Sequence, residues 1–218
     1  MKLAIFDMDG LLFDTERLMR KTLGRVMAEY GYKLNDEVFL KILGVNSERY
    51  KEIMMKLYGA EYPHDEVSAQ VREEVNRSMK TDGVPVKQGI PELLKYLKSE
   101  DIKCAVASST KVEYVKEYIS LAKLNEYFDL IIGGDMITRS KPFPDIFLKV
   151  CDELSIKPQD SVVFEDSENG IKAAANGGIP VICIFDIKRH DKNITDMCLT
   201  CADNAFDVIE YLKMMQGL

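Results

Sequence analysis

The sequence predicts an α/β protein: a doubly wound parallel sheet interrupted, after its first strand, by an all-helical insert. Three observations predict it. Leu3-Ala4-Ile5-Phe6 opens the chain as a short uncharged apolar run, suited to a strand covered on both faces. Positions 15 to 80 carry apolar residues at helical spacings. From position 81 onward, strand-like and helix-like segments alternate, as they do where right-handed crossovers join parallel strands.

Taken in order, the first strand ends at Asp7-Met8-Asp9-Gly10, where Gly10 permits a sharp departure. The insert begins at Thr15. Leu18, Leu23, Val26, Met27 and Tyr30 recur at helical spacing and stop at Gly31, a natural C-terminal cap. Asn35 or Asp36 can cap a second helix ending before Gly44. Ser47 can cap a third, with Ile53, Met54 and Leu57 inward and Gly59 after it. Val67, Val71, Val75 and Met79 mark a fourth. Four helices with short links predict a small four-helix bundle over 15–80. It reads as a cap on the carboxyl edge of a sheet domain made of 1–14 and 81–218.

In the sheet domain Pro91 suits the first turn of a helix carrying Leu93, Leu94 and Leu97. Cys104-Ala105-Val106-Ala107 is a strand, and Val112, Val115 and Ile119 make a helix. Leu130-Ile131-Ile132 is a strand, followed by a helix from about 144 to 154. Ser161-Val162-Val163-Phe164 is a strand, then a helix contains Ile171 to Ala175. Val181 to Phe185 is the last clear strand, and Val208, Ile209 and Leu212 mark a closing helix.

At 218 residues the chain can bury a sizeable core, as one large domain or a domain plus an insert. A net charge of −7 argues against a nucleic-acid-binding surface. No apolar run approaches the roughly 18–20 residues of a membrane span, and Asp7 and Asp9 interrupt any leader-like N-terminal stretch. A monomeric cytoplasmic protein, with no nucleic-acid or membrane partner, is expected. Five cysteines form an odd set without framework spacing, which suits reduced thiols. Cys198-Leu199-Thr200-Cys201 is a lone C-x-x-C with no second pair or nearby histidine, a weak zinc signal. With only His64 and His190 present, a serine–histidine triad is unsupported.

The chemistry lies where strands meet loops. In open α/β sheets ligands bind beyond the carboxyl ends of the strands. Four such junctions carry polar residues: Asp7 and Asp9, Ser108 and Ser109, Lys141, and Glu165 with Asp166. Singly, each has a plain structural reading as an acidic turn, a helix cap or a solvated lysine. Together they suit phosphoryl transfer. One carboxylate can attack phosphorus to form an aspartyl-phosphate, and a second can protonate the leaving oxygen and later deprotonate water. Ser108 and neighbouring backbone N–H groups can hold phosphate oxygens, and Lys141 can neutralise them. Asp7 and Asp166 offer hard oxygen ligands for Mg²⁺.

Four motifs then carry a resemblance: Asp7-Met8-Asp9-Gly10-Leu11-Leu12-Phe13-Asp14-Thr15-Glu16, Val106-Ala107-Ser108-Ser109, Ser140-Lys141-Pro142-Phe143-Pro144-Asp145-Ile146-Phe147, and Phe164-Glu165-Asp166-Ser167-Glu168-Asn169-Gly170. In order and spacing the chain resembles the haloacid dehalogenase superfamily, mostly magnesium-dependent phosphatases with a Rossmann-like core. It looks like the branch that holds β-phosphoglucomutase and many sugar-phosphate or nucleotide phosphatases, with a helical cap after the first motif. The resemblance implies that Asp7 is the nucleophile and Asp9 the general acid/base, with the Asp9 backbone carbonyl on the metal. It implies Ser108 and Lys141 as phosphate ligands, with Ser109 beside them, and Asp166 with Glu165 as metal ligands. Asp14 would be a structural hydrogen-bonding residue near the hinge.

Two departures bear on activity. β-Phosphoglucomutases carry a histidine shortly after the Asp-Thr pair, where Met19 stands here, and an arginine in a cap loop, matched here to Ser47 with Arg49 nearby. A mutase must keep its phosphoenzyme for a second sugar phosphate. Losing those residues favours water as acceptor, hence hydrolysis of a small phosphorylated metabolite over the alternative, a phosphosugar mutase. Dehalogenation is disfavoured, because it has no alcohol leaving group for Asp9 to protonate. A regulatory binding module that keeps the fold without turnover is disfavoured by intact Asp7, Asp9, Lys141 and Asp166.

Overall fold

β1 (Leu3–Phe6) is buried at every position, which a sheet covered on both faces allows. In this computed structural model, which describes residues 1–45 and 47–216, the chain then leaves for four helices. These are α1 (Thr15–Glu29), α2 (Asp36–Ile42), α3 (Ser47–Tyr58) and α4 (His64–Thr81). It continues through α5 (Ile90–Ser99), β2 (Lys103–Ala107), α6 (Val112–Leu121), β3 (Leu130–Ile132), α7 (Asp145–Leu154), β4 (Ser161–Glu165), α8 (Glu168–Asn176), β5 (Val181–Ile184), α9 (Lys192–Thr195), β6 (Thr200–Ala202) and α10 (Ala205–Gln216). Asp14–Val84 forms one compact unit and the flanking chain another. The division falls a few residues beyond the expected 80/81 because α4 runs on to Thr81 and the sheet unit resumes at Pro85. Among the described residues, no helix is long and apolar enough to cross a membrane.

The sheet unit is a six-stranded parallel sheet in the order β3-β2-β1-β4-β5-β6. Winding starts at β1 in the middle and proceeds outward in both directions, so the loops after β1 and β4 diverge and open a crevice at their carboxyl ends. Strand alternation divides the core into two layers. Leu3, Ile5, Ala105, Ala107, Val163 and Val181 face a layer built from Phe147 and Val150 of α7 and Ile171 and Ala174 of α8. Intervening residues face the other way, where Phe6 stacks on Phe164 with ring centroids 4.7 Å apart. α5 starts at Gly89 (φ +82°), has Pro91 in its first turn, and buries Leu93, Leu94 and Leu97.

β6 and α9 correct the sequence reading, which ended the strands at Phe185. β6 is a three-residue edge strand paired on one side to β5 and only partly buried, so it writes no apolar run into the sequence.

In the helical unit α1 packs on α4 through Leu23, Val26 and Met27 and through Val67, Val71 and Met79. The Asn35 side chain caps α2, accepting from Val38 N–H at 2.8 Å. Ser47, expected as the cap of α3, is its first helical residue, and the cap position itself, 46, lies outside the described residues. Leu57, expected inward, is 44 % exposed. The inward stripe of α3 runs through Tyr50, Met54 and Tyr58, one turn apart, with Tyr58 stacked on Tyr62.

Candidate active site

The strand ends after β1, β2 and β4 bring the expected polar residues together. Asp7 N–H donates to Phe164 O at 3.0 Å, extending the β1–β4 ladder by one residue and fixing where its carboxylate emerges. Lys141, from the loop before α7, is buried and reaches between two carboxylates: Nζ lies 2.5 Å from Asp7 Oδ1 and 2.6 Å from Glu165 Oε1. A third bond, 3.2 Å to Ala107 O, satisfies its remaining proton. Its ammonium also lies 4.8 Å from the centre of the Phe147 ring.

Electrostatics follow from this burial. Desolvation raises Asp7 to about 7 against the pull of Lys141, with the nearby charges of Glu165 and Asp9 adding to the rise. Burial alone would discharge Lys141, but Asp7 and Glu165 more than offset it and hold the ammonium above the ordinary lysine value. The lysine is therefore a permanent positive charge at the centre of an acidic site.

Asp7, Glu165 and Asp166 form a group whose ligand oxygens lie within 4.8 Å of one another, a hard-oxygen set that fits Mg²⁺. Within it the roles differ. Both oxygens of the fully buried Glu165 are already engaged: Oε1 by Lys141, Oε2 by the N–H groups of Asp166 (3.0 Å) and Ser167 (2.9 Å) and the Ser167 hydroxyl (3.0 Å). Glu165 thus anchors Lys141, while all three carboxylates remain within reach of one ion.

Asp9 is turned toward the loop after β2. Its Oδ2 accepts from the Thr110 hydroxyl at 2.8 Å and from Ser108 Oγ at 3.5 Å, and Ser108 Oγ accepts from Thr110 N–H at 3.1 Å. Ser108 is wholly buried, whereas Ser109 is exposed. The neighbouring 133–135 loop braces this one: Gly134 N–H donates to Thr110 O at 2.9 Å, and the Asp135 carboxylate accepts from Val112 N–H, the first residue of α6, at 2.8 Å.

Several residues that shape the site were missed in the sequence. Thr110 holds Asp9, and its only signal is the run Ser108-Ser109-Thr110. Gly170 lets Glu165 lie against the first turn of α8, since a Cβ there would overlap the Glu165 carboxyl group. Gly10, at φ +81°, both makes the expected turn and leaves room for the Asp166 carboxyl. Lys87 ties this turn down, donating to Gly10 O at 2.8 Å and to Asp186 at 2.6 Å. In the helical unit Asp14 accepts from Arg17 at 2.8 Å, Met19 and Ser47 are exposed, and Arg49 pairs with Glu52 at 2.8 Å.

Comparison with known proteins agrees with this fold. The chain is 35 % identical over 179 residues to a phosphorylated carbohydrates phosphatase of Thermotoga maritima, covering 82 % of each chain. It is 30 % identical over 181 residues to the fructose-1-phosphate phosphatase YqaB of Escherichia coli, covering 82 % of this chain and 93 % of that one. The solved structure of CbbY from Rhodobacter sphaeroides in complex with phosphate superposes with a TM-score of 0.79 at 25 % identity, over 95 % of this chain and 96 % of that one. The family model described as haloacid dehalogenase-like hydrolase matches residues 4–184, a span that runs from β1 to the end of β5 and takes in every strand-end residue described above. A match of that extent makes this chain a member of the haloacid dehalogenase-like hydrolase family.

Proposed function

We propose that the protein is a Mg²⁺-dependent phosphatase that hydrolyses a small phosphorylated metabolite, a phosphorylated carbohydrate before a nucleotide, through an aspartyl-phosphate on Asp7. The observation that carries this reading is Lys141, buried between Asp7 and Glu165 with Asp166 alongside. A fixed positive charge beside a nucleophilic carboxylate is what the spreading negative charge of a phosphoryl group needs. The relatives named as phosphatases of phosphorylated sugars support the substrate class.

In the first step Asp7 attacks phosphorus and the P–O bond to the leaving group breaks, while Asp9 gives its proton to the departing alkoxide. In the second, Asp9, now a carboxylate, takes a proton from water as that water attacks phosphorus, and Asp7 departs as free carboxylate. Thr110 and Ser108 aim Asp9 throughout. Glu165 holds Lys141 in place, so the ammonium needs no reorganisation as charge develops. Asp7 and Asp166 would hold Mg²⁺, which supplies further charge neutralisation when bound. Substrate choice we assign to the helical unit, where Met19 and Ser47 replace the histidine and arginine of the mutases and favour water as acceptor.

The test is phosphate release from a panel of sugar phosphates and nucleotides with magnesium. Turnover of at least one sugar phosphate is expected. A folded, magnesium-supplied protein that releases phosphate from none of the panel, nor from an aryl phosphate, overturns the reading in favour of a binding module.

A further inference from the structure

Three of the five cysteines converge at the β5–β6 edge of the sheet, one strand from Glu165. Cys183 and Cys201 are register partners on adjacent parallel strands. Their side chains therefore stand on the same face, with backbones about 4.8 Å apart. Cys198 completes the group from the turn between α9 and β6. Its thiol reaches the Ile194 carbonyl, 3.8 Å away, and the side chain packs, with that of Cys201, against the core cluster that contains Cys183. All three are free, as are Cys104 and Cys151, which are buried elsewhere: Cys104 reaches Ile102 O and Cys151 meets Ser161.

The three thiols differ in access and character. Cys183 is fully buried, while Cys198 and Cys201 are partly exposed and Cys198 lies between the exposed Met197 and Leu199. Hydrogen bonding from Cys183 holds Cys198 below the ordinary thiol value. The same bond, with burial, pushes Cys183 up. An accessible sulfur with thiolate character beside a protonated, sequestered thiol is the arrangement that oxidant-reactive cysteines use.

We propose that Cys198 is a site of reversible oxidation by hydroperoxides, resolved by Cys183 into an intramolecular disulfide. The Cys198 sulfur attacks one peroxide oxygen and the O–O bond breaks. The departing oxygen takes a proton and leaves as water or an alcohol, and Cys198 becomes a sulfenic acid. The Cys183 sulfur then attacks that of Cys198. The S–S bond forms as the S–O bond breaks, and the hydroxyl leaves as water with the Cys183 proton. Two thiols are oxidised and one peroxide is reduced. The modification would fall one strand from the catalytic residues, because Cys183 is also the register partner of Glu165.

The test exposes the reduced full-length protein to a small excess of hydrogen peroxide, blocks remaining thiols with N-ethylmaleimide, and maps peptides without reduction. The expected product is a monomer lighter by two hydrogens, with Cys183 and Cys198 peptides linked, restored by dithiothreitol. Cys198→Ser should abolish the link, and Cys201→Ser and Cys104→Ser should keep it. Cys183→Ser should leave a sulfenic acid on Cys198 that dimedone traps. Should that variant fail to fold, dimedone trapping early in the wild-type reaction gives the same readout. Oxidation of Cys104 or Cys151 as fast as Cys198, a link that survives Cys198→Ser, or disulfides only between chains would each overturn the proposal.

Discussion

Asp7 and Asp9 are two residues apart in sequence but belong to different networks, and that difference separates their roles. Asp7 faces Lys141, whereas Asp9 faces the hydroxyls of Thr110 and Ser108. Asp7→Asn should remove phosphoenzyme formation, with turnover at the limit of detection. Asp9→Asn should slow hydrolysis of a sugar phosphate by about 10²–10⁴-fold, the usual worth of general acid–base catalysis. For an aryl phosphate, whose leaving group needs no proton, the first step should survive Asp9→Asn. Rapid-quench trapping of radiolabelled protein should then show a burst that Asp7→Asn lacks.

The raised Asp7 value also predicts a pH dependence. A carboxyl that ionises near 7 folded and near 4 unfolded binds its proton more tightly in the folded state. Metal-free protein should therefore lose stability through this group as pH rises from about 4 to about 7, and no more above that. Urea titrations at pH 5 and pH 8 should show a larger fall for wild type than for Asp7→Asn. Because Mg²⁺ and the proton compete for Asp7, stabilisation by added magnesium should be greater at pH 8 than at pH 6.

At the scale of elements, α8 is set by its first turn as much as by its apolar face. Ser167 caps the helix by accepting from Gly170 N–H at 3.1 Å, and its own hydroxyl and N–H hold Glu165. Gly170→Ala would force the Glu165 carboxyl aside and loosen its grip on Lys141. Activity should fall at least about tenfold, with about 1–3 kcal/mol lost to overpacking. Gly24, inside α1, is the contrasting case: an added Cβ would make ordinary contact with Leu34 at 3.9 Å. Gly24→Ala should stabilise the protein by about 0.5–1 kcal/mol, up to a few degrees in Tm. Thermal scans of the two variants should move in opposite directions.

For the whole molecule, the decisive question is where the phosphoryl group goes. Activity on phosphate monoesters should vanish with EDTA and return with magnesium. Undiminished turnover in chelator would remove the metal role given to Asp7 and Asp166. Supplied with β-glucose 1-phosphate and a trace of the 1,6-bisphosphate, the protein should release inorganic phosphate. Efficient formation of glucose 6-phosphate would make it a mutase despite Met19 and Ser47.

The parallel sheet and its helical interruption were legible in the sequence because both rest on local periodicity. Buried strands such as Leu3–Phe6 and Val181–Ile184 must be apolar throughout, and helices must repeat their apolar stripe each turn. The polar residues at strand ends were legible too, since a charge just after an apolar run has no packing reason to be there. What only the tertiary structure decided depends on pairs distant in the chain. Glu165 is legible as one acidic residue beside Asp166, but that one of its oxygens meets Lys141, 24 residues away, shows only in the fold. Thr110 is an ordinary loop residue until the pairing of β1 with β2 brings it to Asp9, 101 residues away. Gly170 is a small helix residue until Glu165 fills the space where its side chain would be. β6 is invisible for the same reason, being held by pairing with β5 rather than by its own apolarity. Local sequence sets which face of an element is apolar, but long-range packing sets which polar atoms meet, and the chemistry of this site is made of those meetings.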